Sequence, residues 1–266
     1  LVLSVFYLLT SSITVNHVLI ILAVSTIATS LFLLSKIKRS QPEIFEKKER
    51  IVEKDRKRIL QFIGYAILSS LSLLLIGYTD TIMLGFLVND PSAIGIYKAA
   101  FILISSLSGL MSINIVLLPL FVGLKQINLE KAFNKAFRYL MILSIPAALG
   151  LAILGKYFLS LIYGNNYINA LSSLYILVPL LVISPYIGLL TGMFSVKEKM
   201  KIIFRLSFFI LILNIFINYL LIKIILSYSY YNVIIGAAIA TTLSSIIYLA
   251  GLIVISRNKL GITIDN

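Results

Sequence analysis

Asp80 stands between Leu73-Leu74-Leu75-Ile76 and Ile82-Met83-Leu84-Gly85-Phe86-Leu87, the one acidic side chain with long apolar sequence on both sides. An ionisable group in such surroundings is expensive to desolvate unless it faces a cavity or a partner, which makes it a functional candidate. Lys98 offers a partner of opposite charge. It lies a similar short way into the next apolar run, which returns from the turn Asn89-Asp90-Pro91-Ser92. The plainer alternative is that Asp80 only caps, at the membrane interface, a helix ending near Tyr78. Asn114, Asn214 and Asn218 are further polar residues inside apolar runs, the last two four apart and so on one helix face.

Little else in the chain suits catalysis. Of the ten acidic residues, eight lie among Lys and Arg in polar gaps or the tail, where they read as solvated faces. The single His17 has no Asp, Glu or Cys near it. No phosphate-binding glycine loop, zinc-binding His-Glu-x-x-His or Gly-x-Ser-x-Gly elbow occurs. With no Cys, thiolate chemistry and Cys-based metal sites are excluded. The expectation is a protein that is not an enzyme and uses no cofactor or metal.

The elements that must position Asp80 are membrane helices. Hydrophobic residues make up 60% of the 266, and the mean hydropathy is +1.04, more than a soluble domain of this size can bury. A bilayer core needs roughly 20 apolar residues per helix. Runs that meet this are 17–35, 59–79 (extendable to 88), 93–123, 139–158, 168–195, 202–226 and 232–256, with a clipped run at 1–12. The fold class is therefore all-α, a polytopic helix bundle of about eight spans; the runs do not alternate as barrel strands would. Prolines interrupt them at Pro119, Pro146, Pro179 and Pro185, where each frees a carbonyl and permits a bend.

The 23 Lys and Arg residues fall in every second gap. Ten lie between Lys36 and Arg58, four between Lys125 and Arg138, four between Lys197 and Arg205, and two at Arg257 and Lys259. Only Lys98, Lys156 and Lys223 fall elsewhere. Lys and Arg resist translocation, so the rich gaps and both termini are read as cytoplasmic in the cell membrane. The net charge of +13 then answers to anionic membrane lipids, not to nucleic acid.

The long basic stretch 36–58 divides the chain into 1–35, a two-helix piece, and 59–256, a six-helix piece, with a cytoplasmic tail at 257–266. Within it Ile44/Phe45, Ile51/Val52 and Ile59/Leu60 recur every seven residues, and Glu43–Lys47, Glu46–Arg50 and Glu53–Lys57 are i,i+4 pairs. This predicts an amphipathic helix on the membrane surface. Asn128 to Arg138 carries a second apolar stripe and is expected to lead straight into the span that follows. Connections on the other side are short turns, with no room for a domain.

From Gly77 the chain reads Gly-Tyr-Thr-Asp-Thr-Ile-Met-Leu-Gly, and after the Asn89–Ser92 turn it continues Gly95-Ile-Tyr97-Lys98-Ala-Ala100. Leu-Pro-Leu-Phe follows at 118–121 and Tyr163-Gly164-Asn165-Asn166-Tyr167 farther on. In order and spacing these resemble the second half of polysaccharide flippases of the Wzx type, in the multidrug/oligosaccharidyl-lipid/polysaccharide export superfamily. The motif residues are Asp80, Gly85, Gly95, Tyr97, Pro119 and Gly164.

The resemblance implies two six-helix lobes around a cavity that opens alternately to each side. Residues 1–35 would be the last two helices of the first lobe and 59–256 the complete second. It implies translocation of a polyprenyl-linked oligosaccharide to the outer leaflet, with Asp80, Lys98, Asn114, Asn214 and Asn218 as cavity candidates and H+ or Na+ as coupling ion. Because the first run is clipped and begins at Leu1 without Met, the chain is expected to lack N-terminal helices, which such helices or a second copy would replace. A drug or cation antiporter of the same superfamily, and a non-transporting scaffold or inactive fragment, are the rival readings.

The charge pattern generates a topological prediction. In this cysteine-free background, Ser92→Cys reacts with an impermeant thiol reagent in intact cells, and Ser40→Cys reacts only after permeabilisation. The reverse pattern would overturn the assignment.

Overall fold

A computed structural model describes residues 15–40, 42, 52–112, 119–121, 124, 126–229 and 232–260. The run at 1–12, residue Asn114 and most of the expected surface helix (43–51) lie outside them. Among the described residues every regular element is helical. They are α1 (Val15–Ser40), α2 (Glu53–Leu87), α3 (Pro91–Leu110), α4 (Gln126–Tyr163), a 3-10 helix (Asn165–Ala170), α5 (Leu171–Leu177), α6 (Leu180–Val196), α7 (Met200–Tyr228) and α8 (Val233–Leu260). Six are long and apolar enough to cross a membrane, and the bent pair 165–177 and 180–196 makes a seventh crossing if taken as one. The all-α polytopic bundle is thus the observed fold.

Two compact units divide the chain, residues 1–56 and 57–266. The first contains α1, 26 residues and long enough to span a bilayer. The second is a helical bundle in which α8 packs along α7 and against α6, α5 and α3, while α4 packs on α6 and the 3-10 helix.

Helix boundaries differ from the hydropathy runs in an informative way. The run 59–79 belongs to a helix that begins at Glu53 and does not end until Leu87. Asp80 therefore lies about two turns inside the helix end, so it is not the residue that caps it. The segment from Asn128 does continue into the next span, within the single helix Gln126–Tyr163 that accommodates Pro146 internally. The run 168–195 is broken at Val178–Pro179, where the axis bends by 51°. Proline has no N–H to bond the preceding turn, so the ladder is interrupted there.

Local chemistry sets the turns. Asn89 adopts φ 53°, a left-handed conformation that Asn tolerates, and the Asp90 carboxylate accepts from Ser92 N at 2.8 Å to cap α3 behind Pro91. This tight reversal turns the chain back into α3 and brings the Tyr97 hydroxyl within hydrogen-bond reach of Asp80. Gly164, at φ 91°, makes the equivalent turn after α4.

Two apolar clusters build the bundle. One gathers Leu84, Tyr97, Leu174, Leu181 and Ala237 toward the end bearing the Asn89 turn. The other gathers Phe133, Tyr186, Phe194, Tyr248 and Leu252 toward the end bearing Arg257. Large apolar side chains such as Leu149, Ile153 and Leu161 on α4 remain 60–83% exposed, as lipid-facing residues do.

Close approach of α7 and α8 depends on small residues. A Cβ on Gly236 would meet the Leu221 backbone at 3.1 Å, and one on Gly251 would meet the Leu206 side chain at the same distance. Gly236→Val is expected to lose about 1–3 kcal/mol by overpacking against backbone that cannot yield. Gly95→Ala, with nothing within 4 Å of its Cβ, is expected to be neutral or stabilising by up to ~1 kcal/mol. Unfolding in detergent micelles measures both; equal effects would contradict the packing assignment.

Candidate functional site

The buried face of α2 is unusual for a span in that polar residues form most of it: Ser69, Ser72, Thr79 and Asp80, with Leu84. Successive spacings of three, seven, one and four put them within one broad face of the helix. Ser69, Ser72 and Thr79 satisfy their hydroxyls locally, each bonding the carbonyl four residues earlier at 2.6–2.9 Å. Asp80 has no such local option, since an ionised carboxylate only accepts.

Its acceptors are met from three other helices. Asp80, 0% exposed, takes hydrogen bonds on Oδ2 from the Tyr97 hydroxyl of α3 and from Thr241 Oγ1 of α8 at 2.5 Å, and on Oδ1 from Asn218 Nδ2 of α7 at 2.8 Å. Asn218 Nδ2 also reaches Asn214 O at 3.1 Å, and Asn214 Nδ2 donates to Ser244 Oγ at 3.2 Å. Tyr97, Asn214, Asn218 and Ser244 are all 0% exposed, and Thr241 is 4%. The result is a closed polar network through the middle of the bundle. All its donors are neutral, so they orient the carboxylate without cancelling its charge.

Lys98 is not part of it. Its Nζ lies 5.0 Å from the Tyr78 ring centre and 5.1 Å from that of Phe101, and it makes no ion pair among the described residues. The expected Asp80–Lys98 pairing is corrected by helix geometry. Consecutive residues on a helix point about 100° apart. With Tyr97 turned inward onto Asp80, Lys98 must leave the network. It stands with Leu73, Gly77, Tyr78, Phe101 and Ser105 around a separate cavity of about 520 Å³.

Of the sequence candidates, Asp80, Asn214 and Asn218 are thus brought together, Lys98 is placed apart, and Asn114 lies outside the described residues. Among the motif residues, Tyr97 enters the network. Gly85 lies beside the Ile94 side chain, Pro119 sits in a short helical run at 119–121, and Gly164 makes the turn after α4. Thr241 and Ser244 were missed. The available signal is the spacing of Thr241, Ser244, Ser245 and Tyr248, which puts hydroxyls on one α8 face.

The described residues thus form a multi-pass helical bundle with a buried carboxyl group bonded by neutral donors, and they include no cluster of three or more His, Cys, Asp or Glu. Residues 19–172 match a family described as "Polysaccharide biosynthesis protein". That is more than half of the chain, which therefore belongs to this family and is a multi-pass membrane protein of polysaccharide biosynthesis. The matched stretch includes Asp80, Tyr97 and Lys98 and ends before α7 and α8. No curated protein and no solved structure matches the chain.

The network yields a stability contrast. Asn218→Leu removes a donor to a buried carboxylate and is expected to cost about 1–3 kcal/mol. Lys98→Met loses only a partly solvated cation–π contact and is expected to cost under ~1 kcal/mol. Combining Lys98→Met with Asp80→Asn should give additive effects within ~0.5 kcal/mol. Coupling well above that, measured by unfolding in detergent, would restore the ion pair.

Proposed function

We propose that the chain translocates a polyprenyl-linked oligosaccharide from the cytoplasmic to the outer leaflet, driven by uptake of H+ or Na+ at Asp80, and that it is not an enzyme. The basic end of the bundle and both termini face the cytoplasm of a cell that carries the protein in its plasma membrane. The sugar head follows a polar route because it would otherwise lose its hydration in hydrocarbon, while the polyprenyl tail remains in lipid. The flippase reading is supported by the family match and by the order of the motifs from Gly77 to Tyr167. A two-lobed route needs a second wall, which further helices or a second copy of this chain supply.

The carrying observation is Asp80 itself, fully buried and bonded only to neutral donors. A carboxylate at membrane depth persists only if its charge is answered, and here a monovalent cation answers it. A proton would convert the side chain into a neutral acid. Sodium would find hydroxyl oxygens on Tyr97 and Thr241, which rotate to expose lone pairs, and the amide oxygens of Asn214 and Asn218, which have no hydrogen-bond partner among the described residues. In this reading Lys98, on the wall of its own cavity, receives an anionic group of the cargo.

The test is export in a cell lacking its own flippase, with the second wall supplied. Asp80→Asn keeps the shape and removes the charge, and export is expected to fall at least tenfold with normal protein in the membrane. Dissipating the proton and sodium gradients separately identifies the ion. Unimpaired export by the Asn variant would remove ion coupling at Asp80. Failure of the complete assembly to move a labelled lipid-linked oligosaccharide across proteoliposomes would remove the flippase reading.

A further inference from the structure

Beside the second apolar cluster, whose members Ile210 of α7 and Tyr248 of α8 line it, lies a cavity of about 170 Å³ bounded also by Ile76 of α2, Ser184 of α6, and Ser244 and Ser245 of α8. Leu73 and Ile187 complete a lining that is apolar over most of its area, with the hydroxyls of three serines and Tyr248 set into it. Tyr248 is 2% exposed, yet its hydroxyl has no hydrogen-bond partner among the described residues. A buried hydroxyl without a partner draws water into a space that can hold it, and at roughly 30 Å³ per molecule this one has room for several.

Its position relative to Asp80 is specific. On α8, Ser244 and Tyr248 lie three and seven residues beyond Thr241, about 4.5 and 10.5 Å closer to the Arg257 end by helical rise. On α2 and α7, Ile76 and Ile210 lie one turn from Asp80 and Asn214 in the same direction. The cavity therefore sits next to the network on its basic side, and Ser244 belongs to both. From there the polar path continues through Asn214 Nδ2 (3.2 Å from Ser244 Oγ) and Asn218 Nδ2 (3.1 Å from Asn214 O) to Asp80 Oδ1 at 2.8 Å.

We infer that this cavity is a hydrated vestibule through which a monovalent cation exchanges between Asp80 and the basic side of the membrane, with the Tyr248 hydroxyl and Ser244 as its polar lining. The cargo of the vestibule rests on the ion-coupled reading of Asp80; its hydration does not. Both H+, relayed along waters, and Na+, carried with part of its hydration, need the same wetted, oxygen-lined passage. The charged and titratable groups facing Asp80 are Tyr97 and, more remotely, Lys98, both on α3. Neither lines the vestibule, so traffic through it does not pass Lys98.

Hydration is read by single cysteines in the full chain. Ser245→Cys and Ser184→Cys, on different helices, are treated with a small cationic methanethiosulfonate in inside-out vesicles, beside Ile153→Cys on the lipid-facing side of α4 (75% exposed). The cysteine thiolate, which forms in water and not in hydrocarbon, attacks the reagent's sulfenyl sulfur to form a mixed disulfide and release methanesulfinate. Both vestibule cysteines are expected to react at least tenfold faster than Ile153→Cys. Equal rates would show a dry cavity and overturn the proposal. Either cysteine suffices if the other variant fails to accumulate.

Passage is read by ion exchange into proteoliposomes, with a pH-sensitive dye for H+ and a tracer for Na+. Ser245→Leu, which fills the space, is expected to slow exchange at least fivefold, and Tyr248→Phe two- to fivefold, with apparent ion affinity unchanged in both. Unchanged rates in a cavity that labels would also overturn the vestibule. If labelling is fast but Asp80→Asn exchanges ions normally, the coupling reading alone falls.

Discussion

A carboxylate in the middle of a membrane bundle constrains every helix around it. Asp80 can be tolerated there only if donors converge on both oxygens, and no single neighbouring helix can provide them. Tyr97, Asn218 and Thr241 come from α3, α7 and α8, so the lateral order of four helices is implied by one side chain. Hydrogen bonds to a charged group contribute roughly 1.5–3 kcal/mol each. Taking an isolated carboxylate out of water costs far more. Neutral donors alone leave that balance unfavourable, and an apolar residue at this position would be the stabilising choice. The persistence of Asp80 in such a place is thus an argument for function, resting on energetics rather than on resemblance.

Convergence of the donors depends in turn on close packing elsewhere. Thr241 and Asn218 reach the same carboxylate because α7 and α8 approach closely, and they do so where Gly236 lies against the Leu221 backbone. Lipid does not drive helices together as water does, so contact between them relies on small residues and interhelical hydrogen bonds. Both devices occur on this pair, the Asn214–Ser244 bond about two turns of helix from the Gly236 contact. The Asn89–Asp90–Pro91 turn has the complementary task of placing Tyr97 opposite Asp80.

Much of this was legible in the sequence, for identifiable reasons. A charged or amide side chain stands out against twenty apolar neighbours, so Asp80, Asn214 and Asn218 could be picked without an alignment. Their meeting could not, because depth in the membrane can be counted along a helix while the direction a side chain faces depends on what the helix packs against. Lys98 shows the difference: it is one residue from Tyr97, the side chain that does meet Asp80, and so points about 100° away from it. Thr241 and Ser244 were passed over because hydroxyls in spans usually bond their own helix, as Ser69, Ser72 and Thr79 do. Helix ends were misjudged where polar turns continue beyond the bilayer, as α2 does back to Glu53.

Along its buried stripe α2 presents mostly Ser, Thr and Asp to the bundle, so it is held by polar bonds more than by apolar interlock. Near its basic end Arg58 bonds Glu198 at 2.6 and 2.7 Å, an exposed pair worth at most about 1 kcal/mol. Near the other end is the Asp80 network. Any cation bound at Asp80 must draw on the same hydroxyls and amides that now bond the carboxylate, and those groups belong to three other helices. Occupancy and helix arrangement therefore share one set of hydrogen bonds. A ligand shifts a conformational equilibrium only by its difference in affinity for the two states, and here that difference follows directly from which donors remain within reach of Asp80. A helix with few apolar commitments is the element on which so small a change can act.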